Sequence, residues 1–66
     1  MKTRIIKADV RLNPTNVYRK CIVIENNAGV LIVEPELFVI SFQDMQDVKN
    51  QNVSIINRYL EKEIEL

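Results

Sequence analysis

The stretch from Val17 to Phe42 constrains the fold of this 66-residue chain more than any other part of the sequence. It contains three apolar, strand-like runs, at residues 17–25, 30–34 and 37–42. Two turn signals separate these runs, Asn26-Asn27-Ala28-Gly29 and Glu34-Pro35-Glu36. Apolar runs of β-forming residues bounded by Asn, Gly and Pro are typical of consecutive hairpins. The segment therefore predicts an antiparallel meander.

A further strand is indicated by the alternating segment that precedes this stretch. Ile6, Ala8, Val10 and Leu12 share one face of such a strand, while Lys7, Asp9 and Arg11 share the other. The sequence Asn13-Pro14-Thr15-Asn16 then has the composition of a turn. We therefore expect a four-stranded meander over about residues 3–42.

Gly29 is the only glycine of the chain, and it stands where a hairpin favours a positive φ. The runs on either side are apolar on both faces, which is typical of strands covered on both sides. Pro35 cannot donate a ladder hydrogen bond, so we place it in the turn between the third and fourth strands.

The C-terminal third favours helix. Ser41-x-x-Asp44 resembles a helix start, and Asn52 is a candidate N-cap for a second helix. Val53, Ile56, Leu60 and Ile64 fall at helical spacing. However, residues 60–66 also alternate, so fraying of the last five residues, or their pairing as an edge strand, stays open beside helix. The expected fold class is α+β, with a four-stranded antiparallel β-meander followed by one or two C-terminal helices at about 43–64, in a single domain.

The size of the chain favours self-association. A 66-residue domain has a marginal core, and one cysteine without histidine provides neither a disulfide nor a zinc site. One helix can cover only one face of a sheet that is apolar on both. A closed barrel or a first strand folded across the second face would also hide it, but one glycine is few for the corners of a barrel. We therefore expect a homodimer.

Charge is distributed unevenly along the chain. Residues 1–25 carry a net charge of +4 and residues 26–66 a net charge of −4, so the total is zero. The asymmetry indicates either a nucleic-acid-binding face or attraction between the two halves. A neutral total favours attraction, because it gives little long-range steering. The candidate nucleic-acid contacts are Lys2, Arg4, Lys7, Arg11, Tyr18, Arg19 and Lys20.

The sequence offers no set of residues for catalysis. Cys21 has no histidine to activate it and lies in an apolar run, which favours a buried structural thiol. The carboxylate pairs Glu34/Glu36 and Asp44/Asp47 have too few ligands for a dedicated calcium site. Phosphate-binding glycine motifs are absent. We expect no enzyme activity, no cofactor and no metal.

These features favour a small regulatory or inhibitory protein that acts through protein–protein interaction, of a phage or mobile-element type. Glu61, Glu63 and Glu65 are the candidate contacts to a protein partner. The alternative is an RNA- or DNA-binding regulator that uses the basic N-terminal strands. The apolar runs are too short for a membrane span or a signal peptide, so we expect a cytoplasmic protein.

Overall fold

The computed structural model describes residues 1–13 and 15–65 and shows one five-stranded antiparallel sheet with a short helix. The strands are β1 (Lys2–Asn13), β2 (Asn16–Asn26), β3 (Gly29–Glu34), β4 (Phe38–Phe42) and β5 (Ser54–Glu65), and the helix α1 is Met45–Asn50. Their spatial order is β4-β3-β2-β1-β5. The predicted four-stranded meander is thus confirmed. Asn13 pairs with Asn16 at the first hairpin, while Pro14 of the predicted turn lies outside the described residues.

The prediction of C-terminal helices is wrong beyond α1. Residues 54–65 form β5, which pairs antiparallel with β1. The edge-strand alternative, which concerned the last five residues, holds for residues 62–65, and β5 begins eight residues before them. Asp44, rather than Ser41, is the N-cap of α1, and its side chain accepts a 2.8 Å hydrogen bond from the Asp47 backbone N–H. Asn52 caps no helix; it has a φ of 60° in the connection to β5.

Two β-bulges interrupt the alternation of β5. Opposite β1, the partners move from Lys62 at Ile5 to Leu60 at Ile6. A second shift lies between Lys7, which faces Tyr59, and Asp9. Each bulge inserts one extra residue into β5 and interrupts the two-residue alternation. The apolar residues at 56, 60 and 64 stand at four-residue spacing but do not share one face, because Ile56 and Ile64 lie opposite Asp9 and Thr3 and Leu60 lies opposite Ile6.

The core lies on one face of the sheet, which we call the concave face. Ile6, Ala8 and Val10 of β1 line it together with their neighbours on β2 and β3. Helix α1 adds Val48, which is 1% exposed. A flat sheet covered by a six-residue helix would leave much of this core exposed to solvent. The sheet therefore bends over the core. Bulges increase the twist and curvature of a sheet. The buried apolar residues are Ile6, Ala8, Val10, Cys21, Val23, Val30, Ile32, Phe42, Val48 and Val53.

The bend is achieved without additional glycines. Lys20 in β2 and Asn57 in β5 adopt positive φ values of 58° and 55° beside β1. The single glycine, which weighs against closure into a barrel, does not prevent this bending. The sheet nevertheless remains open, because β4 and β5 are its two edges.

The two later hairpins form as the sequence predicts. Gly29 has a φ of +151°, and a Cβ placed there would lie 2.7 Å from the Phe42 carbonyl oxygen. Pro35 lies in the turn between β3 and β4. The Leu37 N–H closes this turn with a 3.1 Å hydrogen bond to the Glu34 carbonyl.

Candidate interaction surfaces

A block of aliphatic side chains occupies the convex face, opposite the core. Two cross-strand rows build it: Ile5 pairs with Ile24 and Ile24 with Leu31, while Ile22 pairs with Val33 and Val33 with Val39. Residues directly opposite each other share a face of the sheet. We call these six residues, Ile5, Ile22, Ile24, Leu31, Val33 and Val39, the convex block.

The convex block is only partly shielded from solvent. Val39 is 64% exposed, and the other five side chains are half-buried. Helix α1 packs on the opposite side of the sheet, where Val48 joins the concave core. Contiguous apolar surface of this kind on a small domain marks an interaction site more often than a solvated face.

Cationic side chains border the convex block. Lys7 lies opposite Ile22 in the β1–β2 ladder, and its Nζ is 3.6 Å from Glu61 Oε2. Arg19 is 78% exposed at its side chain and is 3.7 Å from Asp9. An apolar centre with a charged rim is the usual layout of a protein–protein interface.

Most of the predicted nucleic-acid contacts already have acidic partners. Lys2 pairs with Glu63 at 3.8 Å, and Arg4 pairs with Glu25 at 3.0 Å. Lys7 and Arg19 form the two pairs given above. Arg11 and Lys20 form no ion pair with the described residues. Two of these four pairs, Lys2–Glu63 and Lys7–Glu61, join the basic and the acidic halves of the chain within one subunit.

Tyr18 packs on the core side of the sheet instead of standing free for base stacking. Its ring meets Phe38 edge to face, with centroids 5.1 Å apart and an interplanar angle of 86°. The side chain is half-buried against the core. Tyr18 therefore contributes to packing in this arrangement.

The three candidate acidic contacts lie along β5, at the edge of the sheet. Glu65 Oε1 is 3.1 Å from the Met1 amino group, and Glu61 and Glu63 pair with Lys7 and Lys2. Glu65 remains 67% exposed at its side chain. These carboxylates therefore stabilise the pairing of β5 with β1 and stay accessible from solvent.

Glu25 is a buried carboxylate that the sequence did not single out. It is 8% exposed and lies between Arg4, at 3.0 Å, and Arg58, at 3.3 Å. The only sequence signal was its alternation with Cys21 and Val23, which places all three on the concave face. An open cavity of about 400 Å³ adjoins Glu25 and has mixed charge, with Lys2, Arg4, Asp44 and Glu63 at its wall. Such balanced charge favours no ligand of one sign.

Asp9 of β1 forms hydrogen bonds with residues at the bulges of both neighbouring strands. Its carboxylate accepts a 2.9 Å hydrogen bond from the Asn57 side-chain amide and a 3.2 Å hydrogen bond from the Lys20 backbone N–H. The bond from Asn57 lowers the pKa of Asp9 most, followed by the bond from Lys20; Arg19 adds to this, while burial opposes it. Both donors belong to residues with positive φ. Asp9 is therefore a structural anchor of the curved sheet.

Cys21 is buried, as the sequence predicts. It is fully inaccessible, and its thiol donates a 3.5 Å hydrogen bond to the Tyr18 carbonyl. Burial raises the pKa of Cys21, and the nearby carboxylates Glu34 and Asp9 raise it further. A thiol in this state is a poor nucleophile.

Residues 1–13 and 15–65 contain no group of three or more potential metal ligands and no helix long and apolar enough to cross a membrane. Comparison with known proteins adds no relative: no family model matches the chain, and neither the curated proteins nor the solved structures give a significant match.

Proposed function

We propose that this chain is a small non-enzymatic regulatory or inhibitory protein that binds another protein through the convex block. The observation that supports this most is the exposed aliphatic surface itself. A half-buried aliphatic side chain gains free energy when a partner removes it from water, up to about 1.5–3 kcal/mol for complete burial. Several such residues in two adjacent rows provide the centre of an interface.

The partner that fits this surface has an apolar centre and an acidic rim. Lys7 and Arg19 border the convex block, and both side chains are mostly exposed, at 59% and 78%. Their ion pairs with Glu61 and Asp9 are long, at 3.6 and 3.7 Å. Long pairs with a mostly exposed cation are weak, so both cations remain able to contact carboxylates of a partner.

The proposal includes a homodimeric, cytoplasmic protein, of the kind that phages or mobile elements encode. The homodimer is proposed because a 66-residue chain has a small core, which a second copy would stabilise. The cytoplasmic location and the phage or mobile-element origin are proposed from the size and composition of the chain.

RNA or DNA binding is the alternative proposal. Arg11 and Lys20 support it, because both are exposed and neither forms an ion pair with the described residues. Four of the other basic side chains are paired with carboxylates, which reduces the positive potential that phosphates would meet. The protein-binding proposal is therefore preferred.

Retention of proteins from a lysate of the native host tests the preferred proposal. Immobilised wild-type protein is compared with Val39→Asp, in the convex block, and with Val17→Asp as the matched control. Val17 is also an exposed valine, at 40%, but it lies opposite Arg11, away from the block. We expect a protein that wild type and the control retain and that Val39→Asp loses. Titration calorimetry with that purified protein should then show stoichiometric binding. Identical retention by all three proteins would contradict the proposal.

Fluorescence anisotropy with mixed-sequence RNA and DNA tests the alternative. Phosphate contacts give binding that weakens steeply with salt. If the alternative holds, Arg11→Ala and Lys20→Ala weaken binding at low salt, while Lys49→Ala in α1 does not. Absence of binding at low salt would eliminate the alternative.

A further inference from the structure

β5 presents an open edge along one side of the sheet. Its other side pairs with β1, and no other strand in the described part of the chain pairs with β5. Tyr59 and Leu60, at 66% and 52% exposure, are among the most exposed large apolar side chains. An open edge of this length offers backbone N–H and C=O groups to another strand.

We infer that residues 58–65 of β5, the edge segment, pair antiparallel with the same segment of a second copy of this chain. The two-fold axis passes between residues 61 and 62. Arg58 then lies opposite the partner's Glu65, and Tyr59 lies opposite the partner's Ile64. Glu61 lies opposite the partner's Lys62 beside the axis. Because the axis repeats every pair, the interface contains two copies of each.

The bulge at residue 61 makes this register geometrically consistent. Residues that face each other in an antiparallel ladder must point to the same side of the sheet. In a regular strand, positions 60 and 63 would point to opposite sides. Here Leu60 lies opposite Ile6 and Glu63 opposite Arg4, two β1 positions that share the concave side. Likewise, Tyr59 and Ile64 lie opposite Lys7 and Thr3, which share the convex side.

Charge complementarity selects the second copy as the occupant. Lys62 forms no ion pair with the described residues of its own subunit, and pairing across the axis would place it opposite a glutamate. Glu65 contacts the Met1 amino group and Arg58 contacts Glu25, but their side chains remain 67% and 44% exposed, so each is able to meet the other across the axis. A shift of two residues either way loses the Glu61–Lys62 pair and sets Tyr59 against a lysine or Leu60 against Glu65. Leu60 opposite Glu63 is the one pair that sets an apolar side chain against a charged one.

Charges on an edge strand often prevent pairing, because like charges would meet. The order of charges in the edge segment has the opposite effect. Arg58 and Lys62 alternate with Glu61, Glu63 and Glu65, so reversal of the segment brings unlike charges together. This inference rests on the proposal that the chain is a homodimer, and it specifies where the two copies meet.

Sedimentation equilibrium at high micromolar concentration tests the edge pairing with Lys62→Glu and the matched control Lys49→Glu in α1. Lys62→Glu places like charges on both sides of the axis, so we expect the dissociation constant of the dimer to increase about tenfold or more. Lys49→Glu makes the same charge change away from the edge and should leave the dimer unchanged. The double variant Glu61→Lys/Lys62→Glu reverses the pair and should restore dimerisation. Thermal melting by circular dichroism establishes that each variant is folded.

Three results would overturn the inference. A wild type that is monomeric at these concentrations would contradict both the homodimer and the edge pairing. It would leave the protein-binding proposal standing, because the lysate experiment with Val39→Asp tests that proposal separately. A dimer that Lys62→Glu leaves intact and Val39→Asp dissociates places the contact on the convex face. Failure of the double variant to recover, although it is folded, excludes the proposed register.

Discussion

Asn57 donates a 2.9 Å hydrogen bond from its side-chain amide to the carboxylate of Asp9, 48 positions earlier in the chain. Asn57 has a φ of 55°, a conformation that costs free energy in a residue other than glycine unless a local contact compensates. Lys20, at a φ of 58°, donates to the other oxygen of the same carboxylate. One aspartate thus holds two left-handed residues on the strands that flank β1.

This arrangement predicts a pH-dependent contribution to stability. The lowered pKa of Asp9 in the folded state means that the unfolded chain binds its proton more tightly. The contribution is therefore complete above the ordinary aspartate pKa and is lost as the pH falls through the lowered value. Asp47, with a pKa lowered mainly by the Gln43 backbone N–H, contributes with the same sign. Comparison with Asp9→Asn isolates the effect of Asp9.

Urea unfolding of wild type and Asp9→Asn across the acid range measures this difference. The wild type should be more stable at neutral pH, and the two stabilities should converge as the pH falls. A difference that stays constant with pH would show that Asp9 acts without its charge.

Substitution at Gly29 tests the second hairpin. Gly29→Ala adds a Cβ within 2.7 Å of the Phe42 carbonyl oxygen at a φ of +151°. We expect a loss of about 1–3 kcal/mol of unfolding free energy from the strained backbone. Ala28→Gly, in the same loop, is the control and should change stability much less. Equal effects of the two substitutions in thermal melts would argue against a strained position.

Truncation on the two faces of β3 tests which face carries the core. Ile32 is fully buried on the concave face, whereas its neighbour Leu31 is half-buried in the convex block. We expect Ile32→Ala to cost about 3 kcal/mol, and Leu31→Ala less than half of that. Chemical denaturation measures both values. The reverse order would mean that the convex face is the packed one.

The buried carboxylate of Glu25 should stabilise the fold through its two arginines. Glu25→Gln removes the charge that Arg4 and Arg58 approach at 3.0 and 3.3 Å. We expect a loss of roughly 1.5–3 kcal/mol, the range for hydrogen bonds to charged groups. Glu36→Gln, in the exposed turn after β3, is the control. Unchanged stability in Glu25→Gln would show that desolvation of the carboxylate offsets both contacts.

Reactivity of Cys21 should report global unfolding. The thiol is inaccessible and its pKa is raised, so a thiol-specific reagent should label the native protein slowly at neutral pH. Labelling should accelerate to the rate of a free thiol in denaturant. Rapid labelling of the native state would indicate local opening of β2.

The sequence predicted the meander because its turn signals are unambiguous: Gly29 and Pro35 each stand at a turn between apolar runs. It failed at β5, because the bulges at Asn57 and Glu61 break the two-residue alternation of the strand, while apolar residues stand at helical spacing without sharing one face. The positive φ of Asn57 and Lys20 depends on Asp9, a contact between strands that no local pattern contains. The acidic residues of β5 were named from the sequence as candidate partner contacts, but the pairing of Glu61 and Glu63 with Lys7 and Lys2 required the strand register. Glu25 was missed for the same reason.

The proposed protein binding requires a sheet that covers its own concave face and leaves the convex block to a partner. Methyl NMR with a soluble paramagnetic agent measures this directly in the isolated protein at a concentration where it is dimeric. We predict strong relaxation enhancement for the methyl groups of Leu31, Val33 and Val39, and little for those of Val23 and Ile32. Equal protection of both sets would show that the chain or its second copy already covers the convex face, and would contradict the account.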